Sequence, residues 1–234
     1  MIKLENVTKI FGELKAVDNL SFEIKRGEVF GLLGKNGAGK TTTIKMLTLQ
    51  LRPTAGQIFF DDKLTAENEI FIKSLIGIVP QHLNFDQDLT VGENLELTAR
   101  LYHLPKVQRQ QKIDELLHFV ELEKVKNTFT KNLSGGMKRR LLIIRALIHA
   151  PQILFLDEPT VALDPQVRRK IWELIQALKA QGITIILTTH YIEEAEFLCD
   201  RVAIMNVGKL VALDTTKNLC AGKSLEEVFI RLTN

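Results

Sequence analysis

Apolar residues along the chain fall into three rhythms. Ile2, Leu4 and Val7, then Leu20-Ser21-Phe22-Glu23-Ile24, alternate with polar positions as half-buried strands do. The first of these is expected at a sheet edge. Val29–Leu33, Ile153–Leu156 and Ile183–Thr188 are nearly continuous apolar runs, the pattern of strands buried on both faces of a parallel sheet. Shorter strands are expected at Gln57–Phe60 and at Ile76–Val79, the latter stopped by Pro80. Helical spacing takes over in the middle of the chain. Val91, Leu95 and Ala99 lie at i, i+4, i+8, Pro105 breaks the run, and Ile113, Leu116, Leu117 and Val120 resume it. These helices form a lobe inserted between strands over 82–132. Ser134 is a good N-cap for a helix over Lys138–His149, ended by Pro151. Asp164 caps another, with Pro165 at its first position and Ile171, Leu174, Ile175 and Leu178 as its apolar stripe. Trp172 lies beside that stripe as a packing residue. Arg201–Met205 and Lys209–Leu213 make a hairpin about Gly208, and short helices finish the chain.

The joints between these elements carry the chemistry. Gly34-Lys35-Asn36-Gly37-Ala38-Gly39-Lys40-Thr41-Thr42 follows a buried strand and opens a helix, and fits G-x-x-x-x-G-K-[ST]. Its glycines let successive N–H groups turn inward around phosphate oxygens, and the helix adds its positive end. Lys40 supplies a cation for the β- and γ-phosphates, and the Thr41 hydroxyl is a hard ligand for Mg²⁺. The run Ile153–Leu156 ends in Asp157-Glu158-Pro159, and two carboxylates at the end of a buried strand are costly unless used. In phosphate-loop enzymes the first such acid serves the Mg²⁺ shell, and an acid one residue on orients or deprotonates the attacking water. Leu133-Ser134-Gly135-Gly136-Met137 places two glycines in a helix's first turn, an expense that implies a close approach to the backbone by an anion, or a poorly formed helix start. His190 sits at the carboxyl end of its strand, where open α/β sheets hold ligands. Gln81 is a loop residue at a strand end, and alone it reads as solvated. Phe11, at a turn, is either a minor core residue or a flat face for a base. The histidines His82, His103, His118 and His149 belong to no motif and are expected on the surface or on helices.

Composition adds mainly exclusions. The 234 residues are 45% hydrophobic and 25% charged, enough for a sizeable core. A net charge of +3, with basic residues dispersed apart from Lys138-Arg139-Arg140, gives no argument for nucleic acid. Cys199 and Cys220 lack metal-site spacing and read as free thiols. No run of about 18 apolar residues occurs, and the start alternates like a strand rather than a signal peptide. A cytosolic protein is expected.

Taken in order, these stretches resemble the nucleotide-binding subunit of an ATP-binding cassette (ABC) transporter. The resemblance covers essentially the whole chain. Gly34–Thr42 matches Walker A, Gln81 the Q-loop, Leu133–Met137 the signature, Ile153–Asp157 with Glu158 Walker B, Ala162-Leu163-Asp164 the D-loop, and His190 the switch histidine. The leucine-serine-glycine-glycine element excludes ordinary kinases and GTPases, and no Asn-Lys-x-Asp guanine motif is present. The resemblance implies an α/β P-loop NTPase fold: a RecA-like parallel core and N-terminal antiparallel β subdomain from 1–81 and 133–234, with 82–132 as the inserted helical subdomain.

It also implies roles. Two copies would pack head to tail, with Ser134, Gly135 and Gly136 of one covering ATP on the other's Walker A. Phe11 would stack on adenine, and Gly34, Asn36, Gly37, Ala38, Gly39, Lys40, Thr41 and Thr42 would hold the phosphates. Thr41, Gln81 and Asp157 would order Mg²⁺ and water, Glu158 would be the general base, His190 would hold the γ-phosphate, and Asp164 would link the two sites. The signature usually ends in glutamine; Met137 removes that side chain's hydrogen bonds. Leu89–Leu95, Ala99–Tyr102, Cys199–Val202 and Leu225–Phe229 look like exporter ATPases, which sit peripherally on the cytoplasmic membrane face against a separate permease subunit. The alternative is a soluble ABC-type clamp on DNA or ribosomes, but its coiled-coil insertion, zinc cysteines and tandem cassettes are all lacking here. A small-molecule phosphotransferase is argued against by the signature.

Overall fold

The computed structural model describes residues 1–233. Two strands open the chain, β1 (Ile2–Phe11) and β2 (Leu14–Ile24), and the apolar run β3 (Val29–Leu33) leads through the glycine-rich turn into α1 (Lys40–Leu47). β4 (Ala55–Phe60), β5 (Lys63–Leu64), α2 (Glu69–Leu75) and β6 (Ile76–Val79) precede the helical stretch of α3 (Val91–Leu101) and α4 (Lys106–Phe119). Then come α5 (Gly135–Ala146), β7 (Ile153–Asp157), α6 (Pro165–Ala180), β8 (Thr184–Thr189) and α7 (Ile192–Leu198). The hairpin β9 (Arg201–Asn206) and β10 (Lys209–Thr215) is followed by α8 (Thr216–Cys220) and α9 (Leu225–Thr233).

The strands make two sheets. One is antiparallel, in the order β2-β1-β4-β5, and the other runs β10-β9-β3-β8-β7-β6. In the second sheet every pairing from β9 to β6 is parallel, and only β10 runs against its neighbour. The apolar runs fill its centre because both of its faces are covered. Side chains alternate across it, so Val29, Leu33, Leu154, Leu156, Ile185 and Leu187 enter one core with α5, α6 and α7. Phe30, Leu32, Phe155 and Ile186 enter the other, against α1 and the antiparallel sheet. Ile113, Leu116, Leu117 and Val120 join the first core, as their helical spacing requires.

Three expectations are corrected, and one helix was not foreseen. β1 is no edge strand: it pairs with β2 on one side and β4 on the other. The Ser134-capped helix starts at Gly135 rather than Lys138 and ends at Ala146, before His149, with Ser134 Oγ accepting from Met137 N at 3.3 Å. α2 had no readable signal, since it is short and lacks a side-chain cap. His149 is not a surface residue. It is half-buried, its Nε2 faces the Ile76 carbonyl at 3.0 Å, and its ring stacks on Tyr102 at 3.9 Å.

What the fold does for chemistry follows from strand direction. β3, β6, β7 and β8 are parallel, so their carboxyl ends share one edge. The glycine-rich turn, Gln81, Asp157-Glu158 and His190 all emerge there.

Burial lowers the His149 pKa from its ordinary value of 6.5. Stability tied to the neutral ring is therefore present above that value and is lost as pH falls through it toward the lower folded pKa. Tm should fall less steeply from about pH 7 to about pH 5 in His149→Gln than in the parent chain; identical slopes by circular dichroism would exclude this.

Candidate functional site

The turn after β3 forms one wall of a cleft of about 590 Å³, lined by Asn36–Thr42, Gln81, Glu158, Val161 and His190, with Leu14–Ala16, Val207 and Gly208 closing the far side. Gly37 and Gly39 hold φ of 83° and 99°, so the backbone turns where an L side chain is strained. At Gly39 space forbids a side chain as well: a Cβ would lie 2.6 Å from the Ala16 carbonyl. Lys40 is 5% exposed, and its Nζ donates to the carbonyls of Gly34 at 2.8 Å and Lys35 at 3.2 Å. Burial lowers its pKa, and the nearby carboxylates of Glu158 and Asp157 oppose that shift. Gly34 is buried beneath the turn, and Thr41 is exposed at the start of α1.

Across the cleft, Gln81 Nε2 donates to Glu158 Oε2 at 3.2 Å, and His190 Nδ1 stands 3.3 Å from Glu158 Oε1 without hydrogen-bond geometry. Glu158 itself has φ +47°, a left-handed conformation that costs a non-glycine residue roughly 1–2 kcal/mol. Its N–H is held by Thr188, both at the carbonyl (3.2 Å) and at Oγ1 (3.0 Å). The same hydroxyl donates to Asp157 Oδ1 at 2.5 Å. Thr188 thus fixes the end of β7 from β8, one strand away.

The remaining predicted residues lie elsewhere on the chain. Phe11 ends β1, 46% exposed, outside the residues lining the cleft, with Lys9 Nζ 5.2 Å from its ring centre. Ser134 and Gly135 are exposed at the start of α5, also outside the lining. Gly136 has a reason within the chain as well: a Cβ there would fall 2.6 Å from Val167 Cγ1 at the start of α6, so packing by itself already calls for a glycine. Gly135 meets nothing closer than Leu163 Cδ2 at 3.9 Å. Asp164 caps α6, accepting from Gln166 N and Val167 N, and is exposed. Met137 is partly buried against the helical core, a surface that an apolar side chain suits.

Two residues of this region were not singled out by sequence reasoning. Arg139, 4% exposed, donates to five carbonyls: Pro159, Pro80, Gln81, Asp157 and Glu158. Burial pushes its guanidinium pKa down to about 10. Its neighbours Lys138 and Arg140 made it look like part of a solvated basic cluster. The usable signal was phase, because Arg139 precedes the buried Leu142 and Ile143 by three and four residues and so shares their face. Glu194, fully buried in α7, accepts at Oε1 from Thr160 Oγ1 (2.7 Å) and Trp172 Nε1 (3.0 Å). Trp172 is the packing residue its position implied, 8% exposed and stacked on Phe197, with that bond in addition.

Comparison with known proteins places this geometry. The family model described as ABC transporter matches residues 17–161. The Nod factor export ATP-binding protein I of Ralstonia nicotianae is 43% identical over 212 residues, covering 91% of this chain and 66% of that protein. The linearmycin resistance ATP-binding protein LnrL of Bacillus subtilis is 41% identical over 221 residues, covering 94% and 71%. The chain therefore spans about two thirds of the length of such relatives. Among solved structures, the ATP-binding subunit of an ABC transporter superposes with a TM-score of 0.89 at 28% identity over 100% of both chains. A dimeric ATP-binding cassette in a post-hydrolysis state, bound to ADP and Pi, gives 0.82 at 32% identity over 92% of this chain and 98% of that one.

Replacing Thr188 by Val keeps the shape and deletes the hydroxyl between Asp157 and Glu158. Stranding those partners should cost about 1–3 kcal/mol, which lowers Tm by about 2–12 °C in a chain of this size. An unchanged melting curve would show that the Thr188 bonds do not secure the end of β7.

Proposed function

The chain belongs to the ABC transporter family, and we propose that within it this chain is the ATP-hydrolysing subunit of an exporter, working as a pair of copies on a separate membrane-embedded permease. The observation that carries the reading is the split of the site. Lys40, Gln81, Glu158 and His190 converge on one cleft, whereas Ser134 and Gly135 stand exposed outside it, where only a second molecule brings them to a nucleotide. The dimeric relative bound to ADP and Pi supports this arrangement.

In the proposed cycle the N–H groups of Asn36–Thr42 and the Lys40 ammonium hold the triphosphate, Phe11 supports the base, and Ser134 with Gly135 and Gly136 of the other copy closes over the γ-phosphate. Glu158 takes a proton from the attacking water as its oxygen bonds to the γ-phosphorus and the β–γ bridging bond breaks. Gln81 orients that water, His190 steadies the γ-phosphate, and Asp164 joins the two sites. The oxygen donors Thr41, Asp157 and Gln81 suit Mg²⁺, which when bound would neutralise charge on the β- and γ-oxygens. We also read 82–132 as an inserted helical subdomain upon the 1–81 and 133–234 core.

No helix among the described residues is long and apolar enough to cross a membrane. Attachment to the cytoplasmic face is assigned to the permease contact. A groove of about 500 Å³ runs between the end of α1, β6, α3 and His149. Leu97 and Leu101, the residues before the groove-lining Thr98 and Tyr102, are exposed. The surface around Phe85–Leu104, which gives Thr98 and Tyr102 to this groove, is proposed to receive the permease.

Glu158→Gln should bind ATP and accumulate as a closed homodimer by gel filtration with ATP, because closure is favoured and the step that reopens it is blocked. A variant that binds ATP tightly yet stays monomeric would sink the split site. Separately, Leu97→Glu combined with Leu101→Glu should abolish co-purification with the permease while ATP affinity stays within about twofold; retained co-purification would place the contact elsewhere.

A further inference from the structure

The loops that carry Gln81 and Glu158 hang from a single guanidinium. Arg139 lies in the second turn of α5, the helix whose start is the exposed Ser134–Gly136 turn. Its Nη2 donates to Asp157 O (3.1 Å) and Glu158 O (2.7 Å), and its Nε to Pro159 O (2.5 Å). Its Nη1 donates to Pro80 O (2.8 Å) and Gln81 O (3.3 Å). Glu158 is the middle of the three successive residues and is held at φ +47°, a backbone state that persists only where its surroundings over-determine it. A planar fork with N–H groups at fixed angles can meet several carbonyls of one bend together, which a lysine's point charge cannot. The opposite side of the same loop is also held. Thr160 Oγ1 bonds Glu194 Oε1 at 2.7 Å, and Glu194 stands on α7, the helix that follows His190.

We propose that Arg139 is a positioning residue for hydrolysis, setting Glu158 and Gln81 in register with each other and tying that register to the Ser134–Gly136 turn of its own helix. The two reactive side chains already touch at 3.2 Å, and Arg139 grips the backbone of both. A nucleotide capped by the turn on one copy would then be sensed, through one rigid helix, by the carboxylate serving the nucleotide on that copy's own Walker A. This inference rests on the ATPase reading above.

The test uses the whole chain. Arg139→Lys keeps the charge but not the fork, and Arg140→Lys is the control. Arg140 is on the same helix and donates to the Val120 carbonyl, away from the loops. Arg139→Lys should lower kcat at least tenfold with KM for Mg-ATP within twofold, and Arg140→Lys should leave both within twofold. Amide exchange across 157–161 should quicken at least tenfold in Arg139→Lys while 29–33 is unaffected. In the Glu158→Gln background, Arg139→Lys should change the residual rate less than twofold, since it acts through that carboxylate. A kcat within twofold of the parent, a loss that multiplies with Glu158→Gln, or exchange quickened equally at 29–33 would overturn the proposal. Arg139→Gln replaces Arg139→Lys if the latter does not fold, and failure of both to fold would make Arg139 a stability element and end the proposal. If the parent chain turns over no ATP, the ATPase reading fails instead, and exchange at 157–161 still decides whether Arg139 holds the loop.

Discussion

A sheet covered on both faces leaves polar chemistry one outlet, the edge where parallel strands end, and everything functional in this chain follows from that constraint. β3, β7 and β8 are buried from end to end apart from Asp157, so their apolar side chains serve packing. The first positions beyond them must turn the chain, satisfy the loosened backbone groups and face solvent. Glu158 and His190 occupy such positions, Gln81 comes two residues after β6, and Lys40 opens α1 beyond the glycine-rich turn. The cost of stopping strands together appears as left-handed backbone at Glu158 and Ala162, and as buried charge at Lys40 and Arg139.

Arg139 answers that cost in a particular way. An isolated buried cation is expensive, but here five carbonyls surround it and the carboxylates of Glu194, Asp157 and Glu158 favour its charged form. Burial still outweighs them, leaving the guanidinium pKa at about 10 and the group charged at neutral pH. Charge-assisted bonds of this kind are stronger than neutral ones. They replace the strand pairing that the Pro80 and Pro159 turns forgo, so the loops are ordered without belonging to the sheet.

This division explains what the sequence reading reached. Continuous apolar runs, glycine spacing and caps are local, so the buried strands, the phosphate turn and the Asp164-capped helix were legible. Strand neighbours are not local. β1 reads as a half-buried strand whether it has one partner or two, and only the return of β4 to its free side made it interior. The start of α5 was misplaced because two glycines count against a helix, while Gly136 is in fact required by its approach to Val167. Arg139 was hidden for a related reason: a basic triplet looks solvated until the phase of the helix shows which member faces inward. His149 was likewise missed, because its contacts are to Ile76 and Tyr102, distant in sequence.

The same packing bears on how two copies would meet. Gly136 sits against Val167, so the signature turn and the start of α6 with its cap Asp164 are one packed unit rather than two independent loops. Asp164 spends its side chain on the N–H groups of Gln166 and Val167, which fixes the D-loop to α6. A surface assembled this way meets a second molecule with its geometry already set, and little ordering is left to oppose association. In the proposed pairing, flexibility would then belong to the contact between copies rather than to the turn, and closing and opening would be motions of whole bodies about a nucleotide.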